Sequence, residues 1–200
     1  PIGAFAQTAF ADDIEAGQGN WTFSALVGTT QWAQSNAQSV TPVHSWRAID
    51  ATTVTDLVLV SPSMTLPAAD AAPVTLEFQH RRNIEPRSDG GCYDGGILEV
   101  SLAGGAFAQV PAAQLLTDPY NGPINAASSA VNGRSAWCGV QPFTRAVIDL
   151  APYAGQQAQF RFRLASDSSV GAEGWYIDDV KVKGCSQGQG DLIFANDFEM

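Results

Sequence analysis

Positive charge is scarce in this chain: 10 Lys plus Arg stand against 20 Asp plus Glu, a formal net charge of -10 over 200 residues. The only lysines are Lys181 and Lys183. Such a balance argues against nucleic acid and against anionic membrane surfaces as partners, because both are bound through clustered cations. Charged residues of both signs reach only 15% while hydrophobic residues reach 45%, which excludes a disordered chain. No apolar run approaches the ~18 residues of a membrane-spanning helix, so membrane insertion is not expected. Helix patterns are missing as well. Alanine-containing stretches such as Pro67 to Pro73 carry proline at both ends, where it interrupts helical hydrogen bonding.

Motifs that would announce catalysis are also absent. Histidine occurs twice, as His44 and His80, and neither Gly-x-Ser-x-Gly nor His-Glu-x-x-His is present. A Ser/His/acid set can be assembled on paper from His80 with Glu77 or Glu85, or from Ser45 beside His44. Geometry, not sequence position, defines such a triad, so the pattern carries little. The chain has no Asp-x-Asp-x-Asp-Gly loop, which excludes an EF-hand. The three cysteines, Cys92, Cys138 and Cys185, form no Cys-x-x-Cys, which excludes a common zinc site. Cys92 and Cys138 both lie in glycine-rich, loop-like segments and are expected to form a disulfide, leaving Cys185 over. The chain begins with Pro and shows no signal peptide, so the expectation is a mature or excised segment of a longer secreted precursor. An acidic, lysine-poor surface fits calcium and an extracellular setting.

What the sequence does have is strands. Leu57 to Val60 is a short apolar run stopped by Ser61-Pro62. Val74, Leu76 and Phe78 alternate with polar residues, as do Leu98, Val100 and Leu102. The turn Ala103-Gly-Gly105 then leads into Phe107 to Val110, which predicts a hairpin. Phe143 to Leu150 is a further candidate. In Gln159 to Leu164, the residues Phe160, Phe162 and Leu164 face in, while Arg161 and Arg163 face out toward cross-strand acids such as Glu77 or Glu99. Short strands with glycine and proline turns predict an all-β fold, a two-sheet antiparallel β-sandwich or jelly roll. Residues 81–96 and 114–139 read as irregular. A domain over 1–184 is followed by a flexible linker and C-terminal tail over 185–200.

The segment Gly174 to Lys183 concentrates the chemistry. Alternation places Asp178 on the face of Val180 and Val182, so if the valines enter the core the carboxylate does too. A buried carboxylate is expensive unless it is paired or bound to a metal, which makes Asp178 the first place to look for a cation. The alternative is that Asp178 and Asp179 sit at a strand end and meet water or backbone N–H groups. A second oxygen site is conceivable at Asp94, in Tyr93-Asp-Gly-Gly96, where a plain turn is the competing reading. Among the five tryptophans, Trp137 beside Cys138, with Tyr120 upstream, is the candidate exposed platform for ligand binding.

Four segments in order resemble the MAM-like jelly-roll domains found beside secreted bacterial metallopeptidases such as the immune inhibitor A family. They are Asp12 to Trp21; Tyr93 to Ser101 with Gly104-Gly105; Asp149 to Gln156 leading into Phe160-Arg-Phe-Arg163 and Ser166-Asp167; and Gly174 to Val180. The segment from about Gln114 to Gly139 departs from the simplest version of the pattern. The resemblance implies a non-catalytic jelly roll, often with structural calcium. On that pattern Glu15 and Asp178 match acidic positions of the first and last strands that share a cation, with Asp13, Asp179 and Asp94 as neighbours that could complete a site. The expected role is a secreted, calcium-stabilised accessory domain that binds an extracellular protein or glycan, or the catalytic domain of its own precursor. The alternatives are a carbohydrate-binding module and a polysaccharide-active enzyme on a jelly roll, for which His80, Arg81 and Arg82 are the candidate residues.

Overall fold

The computed structural model describes residues 4–187. In chain order the strands are β1 (Ala4–Asp12), β2 (Thr22–Val27), β3 (Ala33–Ser35), β4 (Ser45–Asp50), β5 (Thr55–Val60), β6 (Met64–Thr65), β7 (Thr75–Ile84) and β8 (Gly95–Leu102). They continue with β9 (Ala108–Gln109), β10 (Leu115–Thr117), β11 (Gly122–Pro123), β12 (Ser135–Ala136), β13 (Gly139–Asp149), β14 (Gln157–Ser166) and β15 (Ala172–Gln187). Two antiparallel sheets form the sandwich. One runs β10-β13-β7-β15-β4-β3, with β1 pairing alongside β15; the other runs β2-β5-β14-β8-β9, with β6 on β14. The expected all-β sandwich is therefore what the chain forms.

Local periodicity explains most of this. Phe160, Phe162 and Leu164 of β14 lie opposite Val100, Leu98 and Gly96 of β8, and all are buried between the sheets except where Gly96 has no side chain. Gly96 is needed there because a Cβ would come 2.7 Å from the Trp175 ring. Arg161 and Arg163 point out of the sandwich, Arg161 to Glu99 and Arg163 to both Asp56 and Glu99, as the alternation predicts. The β8–β9 hairpin forms as expected, through a turn in which Ala103 and Gly104 take positive φ. Cys92 and Cys138 are bridged, with Cα atoms 5.8 Å apart. That bridge ties the β7–β8 connection to the start of β13.

Several expectations need correction. Strand β7 extends to Ile84, into the stretch read as irregular, and 114–139 contains the short strands β10, β11 and β12. β15 runs to Gln187, past the expected boundary at 184; the rest of the predicted tail lies outside the described residues. The more consequential correction concerns the face of Asp178. Trp175 and Ile177 lie opposite Arg82 and His80, and Val182 lies opposite Leu76, all on the inner face of β7. Asp178 lies opposite Gln79, and the register then shifts before Lys181 pairs with Glu77. Asp179, with φ 50, is the extra residue of a β-bulge. One extra residue reverses the alternation. Asp178 therefore points to the outer face, opposite to Val180 and Val182, and is covered there by the β3–β4 connection.

Candidate functional site

The end of β1 curls through a series of side-chain-capped turns. Asp12 Oδ1 accepts from the Ile14 N–H at 2.8 Å, and Asp12 Oδ2 accepts from the Trp21 indole N–H at 2.8 Å. Asp13 Oδ1 accepts from the Glu15 N–H. Ile14 has φ 65, a left-handed conformation that β-branched residues rarely adopt. Its side chain is fully buried, so packing holds it there. The curl delivers Asp13 and Glu15 to the β3–β4 connection.

Asp178 reaches the same connection from β15. Its Oδ2 accepts from the N–H groups of Val40 (2.7 Å) and Thr41 (3.3 Å), and its Oδ1 from the Asp179 N–H (2.7 Å) and the Thr41 hydroxyl (3.1 Å). Glu15 Oε1 accepts from the N–H groups of Val43 and His44, while Oε2 lies 3.2 Å from His44 Nδ1. Burial raises the Asp178 pKa against these donors, whereas the His44 N–H leads the interactions that lower that of Glu15. Asp178, Glu15 and the Asp13 carbonyl thus all meet the 40–44 connection, Asp178 and Asp13 at Thr41 and Glu15 at Val43 and His44, but among the described residues their carboxylates do not form a group with oxygens within 4.8 Å of one another. Asp179, the bulge residue, instead pairs with Lys181 Nζ at 3.2 Å. Asp94 is at a different place altogether.

Does this arrangement fit calcium? Thr41 Oγ1 lies 3.0 Å from the Asp13 carbonyl oxygen and 3.1 Å from Asp178 Oδ1. A hydroxyl has one proton and cannot donate to both. Thr41 Oγ1 thus sits between a carbonyl and a carboxylate oxygen, hard donors of the kind calcium takes, and the rest of its usual six to eight ligands would have to come from water or a moved Glu15. The donor chemistry fits. The carboxylate itself is already satisfied by N–H groups, the alternative foreseen from the sequence.

Asp94 lies between the sheets, where β8 begins. Ser166 Oγ donates to Asp50 Oδ1 at 2.8 Å, and Asp50 Oδ2 accepts from the Glu85 N–H at 2.9 Å. Asp94 Oδ1 accepts from the Asp167 N–H. Carboxylate oxygens of Glu85, Asp94 and Asp167 all lie within 4.8 Å of one another. Burial, followed by the hydrogen bond and charge of Asp50, pushes the Asp94 pKa up to about 9. Sequence reading missed Asp50, Glu85 and Asp167, because they come from three separate strand ends. No local pattern in β4, β7 or β14, each of which mixes apolar with polar and charged residues, singles these acids out.

The proposed aromatic platform does not exist as expected. Trp137 is 0% exposed. Its indole N–H donates to the Asp118 carbonyl at 2.7 Å, and its ring packs on Tyr120, His80 and Trp175. Tyr120 is half-buried, and its hydroxyl is engaged with the Leu98 and Val110 backbone. The glycine-rich surroundings of Trp137 suggested a loop, but backbone pairing with Gly96 draws it inward.

The residues suggested for an enzyme are likewise sequestered. His80 is fully buried; Asp118 Oδ2 lies 2.6 Å from its Nε2, and the Trp175 indole N–H donates to its Nδ1. Arg82 is buried and paired with Asp118, while Arg81 pairs with Glu173. Among the described residues no helix is long and apolar enough to cross a membrane.

No family model matches the chain. It is 28% identical over 185 residues to bacillopeptidase F of Bacillus subtilis, an alignment covering 90% of this chain and 11% of that protein. The chain thus spans only a small part of that relative. Among solved structures it is similar to the K3 cleaved adhesin domain of Lys-gingipain from Porphyromonas gingivalis, with TM-score 0.50, 16% identity, and coverage of 90% of this chain and 99% of that one. A more distant likeness is to a C-terminal family 22 carbohydrate-binding module from Clostridium thermocellum, with TM-score 0.41, 11% identity, and coverage of 90% and 95%. The chain therefore shares a β-sandwich fold with an adhesin domain and is remotely related to one segment of a peptidase.

Proposed function

We propose that this chain is a secreted, non-catalytic accessory domain of the MAM-like kind. It binds an extracellular protein or glycan, or the catalytic domain of a peptidase precursor, and calcium reinforces its Glu15–Asp178 corner. The observation that carries the reading is the sealing of His80. Acid–base hydrolysis needs an imidazole within reach of substrate. Here both ring nitrogens are engaged inside the core, by Asp118 and Trp175. The disulfide supports an oxidising compartment. The match to a small segment of a peptidase, and to nearly all of a cleaved adhesin domain, supports a modular unit. At the Glu15–Asp178 corner, Asp178, the Asp13 carbonyl and Thr41 would hold the ion, and its charge would offset the paired acids.

The test has two arms on the same protein. Affinity electrophoresis through gels containing xylan or mannan, and pull-down with the parent's catalytic domain, should show retention on one of them. Incubation with casein and with the same polysaccharides should release no product. Turnover that survives repurification, or retention on none of the three, would overturn the reading.

A further inference from the structure

Among the described residues, the Asp94 neighbourhood alone groups three acids closely enough to share one ion. Four acids meet at one end of the sandwich. Asp50 ends β4, Glu85 follows β7, Asp94 precedes β8 and Asp167 follows β14. β4 and β7 belong to one sheet, β8 and β14 to the other. Asp50 and Asp94 are almost wholly buried. Asp94 Oδ2 and Glu85 Oε2 are shielded from solvent and accept no hydrogen bond, and the group that faces Asp94 is another carboxyl, that of Asp50, with which it can pair only by holding a proton. Among the described residues, no Lys, Arg or His forms an ion pair with any of the four, whereas the buried acids Glu99 and Asp56 pair with arginine and Asp178 is met by N–H groups. Four acids meeting without a cation crowd negative charge in a shielded place, and burial keeps Asp94 neutral there unless a positive ion arrives.

We infer that Asp50, Glu85, Asp94 and Asp167 form a binding site for a hard divalent cation, calcium by donor chemistry, that clamps the two sheets together at this end. The orphaned Asp94 Oδ2 and Glu85 Oε2 are its first ligands, and Asp167 lies within reach of both. The side chains grouped at the site offer carboxylate oxygens, with no His or Cys among them. That set suits calcium and disfavours zinc. Glu85 is only half-buried, which leaves a side open to water for the remaining ligands. The loop closes on the site from both ends: the Glu85 carbonyl accepts from the N–H groups of Tyr93 and Asp94. Cys92, in the same loop, is anchored by the disulfide. The site is separate from the Glu15–Asp178 corner and stands or falls independently of the proposed function.

The experiment is calcium titration of the chelator-stripped protein by calorimetry, with terbium luminescence as a second probe, on the parent chain and on Asp94→Asn, Glu85→Gln and Asp178→Asn. Asp94→Asn and Glu85→Gln should each lose a full equivalent of calcium that Asp178→Asn retains. In chelator, Asp94→Asn should melt close to the parent, because burial beside Asp50 already holds this carboxyl neutral and the amide removes no charge. In excess calcium the parent should melt several degrees above the variant. A purely structural carboxyl group would give no such calcium-dependent gap. If Asp94→Asn does not fold, Glu85→Gln, on the half-open side, gives the same readout. Unchanged stoichiometry in both cluster variants, or no calcium uptake by the parent, overturns the site.

Discussion

The Trp175 indole N–H donates to Nδ1 of His80 across 3.1 Å, and this contact fixes the tautomer of a buried imidazole. An indole N–H can only donate, so Nδ1 accepts, and Nε2 carries the proton and donates a hydrogen bond to the Asp118 carboxylate. His80 is neutral in the folded chain. Burial lowers its pKa, and the Asp118 hydrogen bond only partly opposes that.

The consequence is a loss of stability in weak acid. Below about pH 6.5 the unfolded chain binds a proton at His80 that the folded chain refuses. Stability should therefore fall with pH, by up to about 1.4 kcal/mol per unit from this group. Asp118 adds a second limb. Burial raises its pKa, but hydrogen bonds from His80 and Arg82 outweigh this and hold it well below the carboxylate range. The stability it contributes is present above about pH 4 and lost as pH falls further. Urea denaturation between pH 8 and 3 should show both limbs, and in His80→Gln the upper one should flatten. A flat profile from pH 7 to 5 in the parent would refute the buried neutral imidazole.

The contrast between β14 and β15 shows what the sequence could reveal. In β14 an unbroken alternation, Phe160 to Leu164, has one possible register, and both faces were read correctly. In β15 the same rule misplaced Asp178, because a bulge at Asp179 is invisible without its partner strand. The disulfide was legible because Cys92 and Cys138 both sit in turn-rich segments. Trp137 was not, since what buries it is pairing with Gly96 and stacking on His80 and Tyr120, residues distant in sequence. Asp94 stood out only as part of a turn. Its partners Asp50, Glu85 and Asp167 converge through strand order in two sheets, which no local pattern encodes.

Gly174 opens the strand that carries the bulge, and it tolerates no side chain. It has φ +104, and a Cβ there would lie 1.9 Å from the Ala48 carbonyl oxygen on β4. Gly174→Ala should cost about 3 kcal/mol or more, combining backbone strain with a clash against a paired strand. Chemical denaturation would measure it. A cost below about 1 kcal/mol would mean that β4 and β15 can separate locally.

Loss of the disulfide should weaken the domain without dismantling it. The bridge closes a loop with a sequence separation of 46, for which chain entropy gives about 4 kcal/mol. The double variant Cys92→Ser, Cys138→Ser should keep its far-UV spectrum, because 40 or so buried side chains remain in place. Its unfolding free energy should fall by that amount, read as a lower denaturation midpoint at unchanged slope. A variant as stable as the parent would show that the unfolded chain is already compact around this loop.

Replacing Asp178 separates the hydrogen-bonding role from the cation role at the corner. Asp178→Ala leaves the N–H groups of Val40, Thr41 and Asp179 without their acceptor, so it should destabilise by about 2–4 kcal/mol even in chelator. If calcium also binds at this corner, the parent should gain several degrees of melting temperature from added calcium, and the variant should lose part of that gain. The part that persists belongs to the Asp94 cluster. An equal calcium response in parent and variant would rule out the corner as an ion site. The destabilisation in chelator would still stand, because four donors from protein are enough to explain why the bulge turns this carboxylate outward.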